Sequence, residues 1–475
     1  MSHRWDGPPA KGPGRAAAVL SAVAVAVAAV LLLTLPAAPR THAADVAESE
    51  QPVSSAVLGC PPGASDGVLK IASAAGLPAP APAGGKGDVH VHGPGPDRTV
   101  TVDRGAATQV DVGGSDSVLR AADDAAIGLL AARGERVDGT LAAVGCRAPQ
   151  PEWWFTGAGG GVDHASVLYL TNTDEGPATV DIEVHGATGN VDRAGTRGMT
   201  VAPGQTVRLP LADVAPGSDE LTVEVIASRG RVVAAALDTV RGPDGEAREW
   251  LPPSAPPGED VVLAGVPAGA DRAELLVTNP GDAQALVDLQ VVTDDGAFVP
   301  LGDEQVSVKP DSVARVDLTK ALKGRAAAVH LRSEVPVTGT VRSTDAGDTA
   351  YAFVAEPLSS PAGVLLVGER SELQLVTGKA SVSVEVRAYG ATGHEELRKP
   401  VTVPASGMVR VPLPAGSAYA VVVPPAGRAL SGPLHVAVTH TGPGVAVQPA
   451  TPLPTTLRRP AVLPWTGATG PQSAS

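Results

Sequence analysis

One strand, turn, strand segment is written four times along this chain, and its spacing restricts the fold more than any other feature. The copies run Val100–Val112, Met199–Leu211, Val306–Leu318 and Val401–Leu413, so their starts lie 99, 107 and 95 residues apart. A period near a hundred residues suits a whole β-sandwich and is far too long for a solenoid repeat or one propeller blade. Other pieces recur in the same order. Upstream of each copy lie Val68–Ile71, Val167–Asn172, Leu275–Asn279 and Leu373–Thr377, followed by the alternating strands Val89–Val91, Val180–Val184, Val287–Val291 and Val382–Arg387. Period two with one apolar face is the pattern of an antiparallel sheet packed on one side and wet on the other. Downstream come Leu221–Ile226 and Val232–Leu237, Ala328–Leu331 and Val337–Val341, Tyr419–Val423 and Leu434–Val438. Six or seven short strands per period, with turn signals between them, read as tandem immunoglobulin-like β-sandwich units in an all-β chain.

Composition agrees: 43% of residues are hydrophobic but only 3% aromatic, so the cores must be built from Ala, Val and Leu. The pattern divides the chain into a basic stub with a signal anchor or signal peptide (1–44), a divergent first unit (53–147), units at 151–251, 259–356 and 363–442, and a disordered Pro/Thr-rich tail (443–475). The Ala- and Leu-rich stretch Val118–Arg133 of the first unit is read as carrying a short helix. The connectors Arg147–Pro151, Pro252–Gly258 and Glu356–Gly363 are proline-rich. Connectors of that kind are semi-rigid, which predicts a rod of four units.

Arg4, Lys11 and Arg15 precede an apolar run from Ala16 to Leu35. Such a run directs export, as a retained membrane helix or as a signal cleaved after Ala43, with the residues beyond Leu35 outside the cytoplasm. The formal charge of −14 and the lack of a basic stripe interleaved with aromatics argue against nucleic-acid binding. Cys60 and Cys146 are the two cysteines. Each follows a Val/Leu-Gly step, at the two ends of the first unit, and in an exported chain they are expected to form a disulfide.

Candidate chemistry is sparse. Asp88, His90 and His92 project from one face of an alternating strand, where they could hold a transition metal or simply face solvent. Gly157–Gly161 resembles a phosphate loop, but a strand rather than a helix follows it, so a hairpin or crossover loop is the reading. Asp163 and His164 come next without a nucleophile in a catalytic context. Trp153, Trp154 and Phe155 gather three of the chain's twelve aromatics, for core packing or for contact with a partner or glycan. Asn172 and Asn279, two of three asparagines, share one position of the repeat and suit Asx turns. Leu463-Pro-Trp-Thr-Gly467 matches a sortase pentapeptide, yet only eight residues follow it.

Glu152-Trp-Trp-Phe-Thr-Gly157, Thr278-Asn-Pro-Gly-Asp282 and Val201-Ala-Pro-Gly-Gln-Thr-Val207 together resemble an uncharacterised family of exported actinobacterial proteins. The third and fourth units have Val261-Val-Leu-Ala-Gly265 and Val364-Leu-Leu-Val-Gly368 where the second has its Trp pair. The resemblance implies a cell-envelope location and repeated sandwiches, and transfers no site residues. The expectation is an exported, membrane-anchored, non-enzymatic structural or interaction module with an envelope protein or glycan as partner and no cofactor. The alternatives are a carbohydrate or peptidoglycan binder and, more remotely, a metal-dependent hydrolase.

Overall fold

Strands dominate the computed structural model, 61% of the described residues against 3% in helix. It describes residues 49–63, 68–82, 84–137, 139–191, 193–242, 245–425 and 430–459. The apolar run 16–35, Ala43 and the pentapeptide 463–467 lie outside the described residues. Among the described residues no helix is long and apolar enough to cross a membrane.

Between 55 and 145 the chain forms eight strands: Ser55–Cys60, Val68–Ser73, Lys86–His92, Arg98–Asp103, Ala107–Asp111, Ser117–Ala122, Leu129–Val137 and Thr140–Gly145. The first, sixth, third and fourth make one antiparallel sheet, and the fifth, second, seventh and eighth another. Leu58, Val89, Val91 and Leu119 of one sheet meet Leu69, Ile71, Leu129 and Ala131 of the other in a shared core. The same pairing order is found in three further stretches. In the second, Glu152–Ala158 is the first strand and Gly245–Leu251 the eighth. In the third, Gly258–Val266 is the first and Asp348–Tyr351 the eighth, while the single strand Ala327–Asp345 serves one sheet with its first half and the other with its second. In the fourth, Ala362–Leu365 is the first and Val445–Pro449 the eighth.

The Ala/Leu-rich stretch of the first unit is not helical beyond a three-residue 3-10 turn at Asp123–Ala125. Its apolar run is continuous because the strand is covered on both faces. Leu129 and Ala131 enter the local core, and Leu130 and Ala132 pack against Leu365, Tyr419 and Val421 of the fourth stretch. Strand 233–242 behaves likewise, with Ala234 and Ala236 in its own core and Ala235 and Leu237 against Ala142.

Burial on both faces overturns the rod. Residues Gln51–Leu457 form one compact body in which the four stretches pack as a closed series. Ala142 of the first meets Trp250 of the second. The Thr222 and Thr278 hydroxyls join the second to the third at 2.6 Å. Val262 and Phe353 of the third meet Met408 and Val447 of the fourth. The fourth returns to the first, where Tyr419 donates to the Gly105 carbonyl at 2.8 Å and accepts from the Ala75 amide at 3.1 Å. The alternation in sequence marks the inner faces, and on strands such as Lys86–His92 and Val382–Gly390 the outward polar residues are exposed or half-buried; on strands such as Leu129–Val137 and Val233–Gly242 the outward residues, rich in Ala and Leu, are interfaces. The tail reading also starts too early, since the chain continues in strands at 445–449, 451–452 and 456–459.

Two local expectations can be followed to their atoms. Cys60 and Cys146 form a disulfide with a sequence separation of 86, joining the end of the first strand to the residue after the eighth. Asn172 accepts from the Asp174 amide and donates to the carbonyls of Gly176 and Val201. Asn279 accepts from the Gly281 amide and donates to Ala283 and Val308, so each side chain closes an Asx turn and pins the chain 29 residues on. Both are fully buried.

Asn279→Ala strands these buried backbone groups and should lower stability by about 1–3 kcal/mol in denaturant unfolding. Cys146→Ser removes a cross-link worth about 4 kcal/mol by chain entropy. Because the first stretch packs on both the second and the fourth, calorimetry should show the single transition of the whole body moving down, not a separate early melting of residues 53–147.

Candidate functional site

The four eighth strands are sheet edges, and an edge strand carries backbone N–H groups that no neighbouring strand satisfies. Here the edges meet: Thr140–Gly145 lies against both Gly245–Leu251 and Val445–Pro449, and Asp348–Tyr351 lies against the same two. Carboxylates take up the donors. Asp348 Oδ2 accepts from the amides of Leu141 (3.2 Å) and Val445 (2.8 Å), and Oδ1 from Thr349 (2.9 Å). Glu249 Oε1 accepts from the amides of Ala143 (3.1 Å) and Trp250 (2.7 Å). A Cβ on Gly444 would sit 2.3 Å from Asp348 Oδ2 and 2.5 Å from Leu141 N, so only glycine lets the carboxylate reach both strands.

Burial pushes the Glu249 carboxyl well above the usual range, against the pull of the Ala143 and Trp250 amides and with Asp348 and Asp238 adding to the rise. Burial also raises Asp348, against its three amide donors. Beside them, Asp238 accepts from the Tyr351 hydroxyl (2.5 Å), from His164 Nε2 (3.1 Å) and from Ser166 Oγ. His164 Nδ1 donates to the Asp219 carbonyl at 2.7 Å. Burial alone would lower the His164 pKa, but Asp238 and the Asp219 carbonyl together raise it above the ordinary value. Ser166 donates to the carboxylate and receives the Gly159 amide. The imidazole therefore faces Asp238 rather than the hydroxyl, and the arrangement ties the second stretch to the third instead of activating a nucleophile.

Trp153, Trp154 and Phe155 are all buried. Trp153 and Phe155 fill the core of the second stretch. Trp154 points to the opposite face, donates to Glu152 Oε1 at 2.6 Å and stacks on His185 with ring centroids 6.2 Å apart. Trp154 is 4% exposed and His185 covers one face of its ring. Its edge, with Glu152 and Trp153, lines a cleft of about 290 Å³ where the connectors around Arg147, Pro253 and Glu356 converge.

The other residues singled out in sequence are not brought together. Asp88 Oδ1 accepts from Thr101, His90 Nδ1 bonds Thr99 and His92 Nδ1 pairs with Asp97, each through one atom to the neighbouring strand or turn. The Gly157–Gly161 loop is packed: a Cβ on Gly157 would meet Thr340 at 2.9 Å, and one on Gly160 the Ala215 carbonyl at 2.3 Å. Missed altogether were Asp238, Glu249, Asp348 and Tyr351, and a second group, Glu183, His185 and Glu224, whose potential ligand atoms all lie within 4.8 Å of one another. Glu224 is pushed up to about 7 by burial and by the charges of Glu152 and Glu183. Burial lowers His185, against Asp311 and Glu183. A Glu-x-His step on an alternating strand was the available signal. Its partner Glu224 is 39 residues away and joins it only through the pairing Glu183↔Glu224.

A family described as "Family of unknown function (DUF5719)" matches residues 131–414. No curated protein matches the chain. Among solved structures, the α-L-rhamnosidase of Streptomyces avermitilis, complexed with L-rhamnose, aligns at 9% identity and a TM-score of 0.12. That alignment covers 84% of this chain and 57% of the rhamnosidase chain, a likeness too low to carry an argument.

Burial raises the Glu249 pKa in the folded state above its ordinary value of 4.5, so over the pH range above that value the folded chain binds more proton there than the unfolded chain. Its contribution to stability is therefore complete below that value and declines as pH rises; His164, also raised, acts with the same sign above 6.5. Glu249→Gln keeps an acceptor for Ala143 and Trp250 but cannot ionise. Melting temperatures measured from about pH 5 to about pH 8 should fall less steeply for the variant than for the wild type, with the variant the more stable at the alkaline end. Parallel curves would refute this assignment.

Proposed function

The chain belongs to the DUF5719 family of unknown function, and from that premise we propose that it is an exported, membrane-anchored, non-enzymatic structural or interaction module of the cell envelope, built of tandem immunoglobulin-like sandwiches. The observation that carries this reading is the Cys60–Cys146 disulfide, because such bridges persist in oxidising, extracytoplasmic compartments. The basic residues before the apolar run 16–35 support the same topology, with residues beyond Leu35 outside. The way the buried titratable groups are used supports a structural role. Asp238, Glu249 and Asp348 are each consumed by amides and side chains that join one stretch to the next. A single compact body of this kind offers its outer surface to an envelope partner and keeps its buried polar chemistry for cohesion.

A carbohydrate or peptidoglycan binder is the second reading, favoured by the cleft that Glu152, Trp153 and Trp154 line among the proline-rich connectors. The two readings separate in a pull-down on peptidoglycan and envelope glycans: retention of the wild type with loss in Trp154→Ala supports the glycan reading, and no retention supports the first. Export itself is tested by fusing a reporter active only in the cytoplasm to the C-terminus of the full chain and by alkylating the unreduced protein in cells. A silent reporter and unlabelled cysteines are expected. An active reporter with two labelled thiols would overturn the proposal.

A further inference from the structure

We propose that Glu183, His185 and Glu224 bind a divalent transition-metal cation where the second stretch meets the third. Glu183 and His185 lie two residues apart on strand Ala178–Gly186, so both side chains leave the same face of the sheet. Glu224 comes from the neighbouring strand Leu221–Arg229, directly opposite Glu183. One nitrogen and two carboxylate oxygens can thus converge from rigid, paired strands, and their ligand atoms lie within 4.8 Å of one another.

The imidazole gives the independent observation. His185 is 2% exposed, and neither ring nitrogen has a hydrogen-bond partner. Asp311, at the tip of a turn in the third stretch, is 3.8 Å from Nδ1, too far for a hydrogen bond. A buried imidazole with both nitrogens unsatisfied costs free energy unless something binds it. Trp154 stacked on one face fixes the ring plane. The carboxylates tell the same story: Glu152 and Glu183 both raise the cost of charge on Glu224, and the cation near them, the exposed Arg197, stands 3.9 Å from Glu183. A dication placed among these groups would take the lone pair of one ring nitrogen and offset the like charges, leaving one N–H of the ring without a partner. Mixed nitrogen and oxygen donors suit Zn²⁺, Mn²⁺ or Co²⁺ better than Ca²⁺ or Mg²⁺, which favour oxygen alone. Asp311 faces the ring from the third stretch, 3.8 Å from Nδ1 and outside the group of three, so its carboxylate adds negative charge beside the bound ion. This site is independent of where the protein resides and of any partner.

The test uses the full chain stripped with a chelator and titrated with Zn²⁺ alone, followed by calorimetry and by melting, with Co²⁺ absorption reporting the donor set. Expected are a single bound ion per chain, a rise in melting temperature and a Co²⁺ spectrum. His185→Gln and Glu224→Gln, each checked for folding by circular dichroism, should weaken binding by at least about tenfold, the scale of loss already seen when only outer-shell partners are removed. Asp311→Asn, at a half-exposed turn, serves as a variant that keeps the fold and should weaken binding less. A triple change at Asp88, His90 and His92 should leave binding intact. Absence of Zn²⁺ binding by the wild type, or binding unchanged in both His185→Gln and Glu224→Gln, would overturn the proposal.

Discussion

Unsatisfied sheet edges are the constraint on which the rest of this structure depends. Each stretch makes one sheet that ends in a short eighth strand, and four isolated sandwiches would present four such edges to water or to other chains. Meeting at the centre does not let them pair with one another as a regular barrel would. The donors are met instead by carboxylates that belong to the edges themselves, Glu249 on the second and Asp348 on the third, each bonding to a neighbour as well as to its own strand. Placing acids there is expensive, and burial shows the cost by raising both pKa values. The alternative is worse: every unpaired amide in that closed space would carry a penalty of about 1–3 kcal/mol.

Closure then fixes the outer faces. Among the outward residues of the first strand are Gly59 in the first stretch, Trp154 in the second, Val262 in the third and Leu365 in the fourth. They meet their neighbours in different ways. A side chain at Gly59 would strike Val233 at 2.8 Å, so the first stretch meets the second through backbone. Val262 and Leu365 enter apolar contacts, and Leu365 is joined by the stacked Tyr389 and Tyr419. At Trp154 the face is polar, with His185, Glu183 and Glu224 around the ring. The body is therefore closed by joints of unequal character, and the second joint is where charge has been gathered.

How much of this could be read beforehand follows from which interactions are local. The strands, their inward faces, the Asx turns at Asn172 and Asn279 and the pairing of two lone cysteines all depend on spacing within one stretch or on there being a single possible partner, and they were legible. The outer faces were not. Leu130 and Ala132, or Ala235 and Leu237, look like an excess of small apolar residues until a second stretch is laid against them. The buried acids were hidden for the same reason, because Asp238, Glu249 and Asp348 sit in unremarkable contexts and acquire their role from partners about 75 to 210 residues distant. The Trp pair drew attention through its rarity, but rarity did not say that Trp154 would be covered.

Three of the four joints are bridged by the chain itself, through the proline-rich connectors, whereas the joint between the fourth stretch and the first has no connector of its own. Closing it costs the entropy of fixing two ends of a body about 400 residues long, a cost that grows only slowly with length. The contacts there are the apolar packing of Leu130 and Ala132 on Leu365 and Val421, and hydrogen bonds that include those of Tyr419 with Ala75 and Gly105, Arg387 with the Gly76 carbonyl at 3.0 Å, Lys70 with the Leu366 carbonyl at 2.9 Å, and Arg147 with the Pro449 carbonyl at 2.9 Å. Arg147 directly follows Cys146. The disulfide therefore does more than staple a weak sandwich: it anchors to Cys60 the residue whose guanidinium clasps the far end of the chain, and it sits beside Gly59, where the first stretch meets the second. Once the other three joints have formed, the last contacts are made within one body and at high effective concentration, so the apolar packing and hydrogen bonds there hold the seam without a connector. The covalent bond closes the loop from Cys60 to Cys146 within the first stretch, so it removes freedom from that stretch in the unfolded chain and fixes Arg147 beside the seam that has no connector.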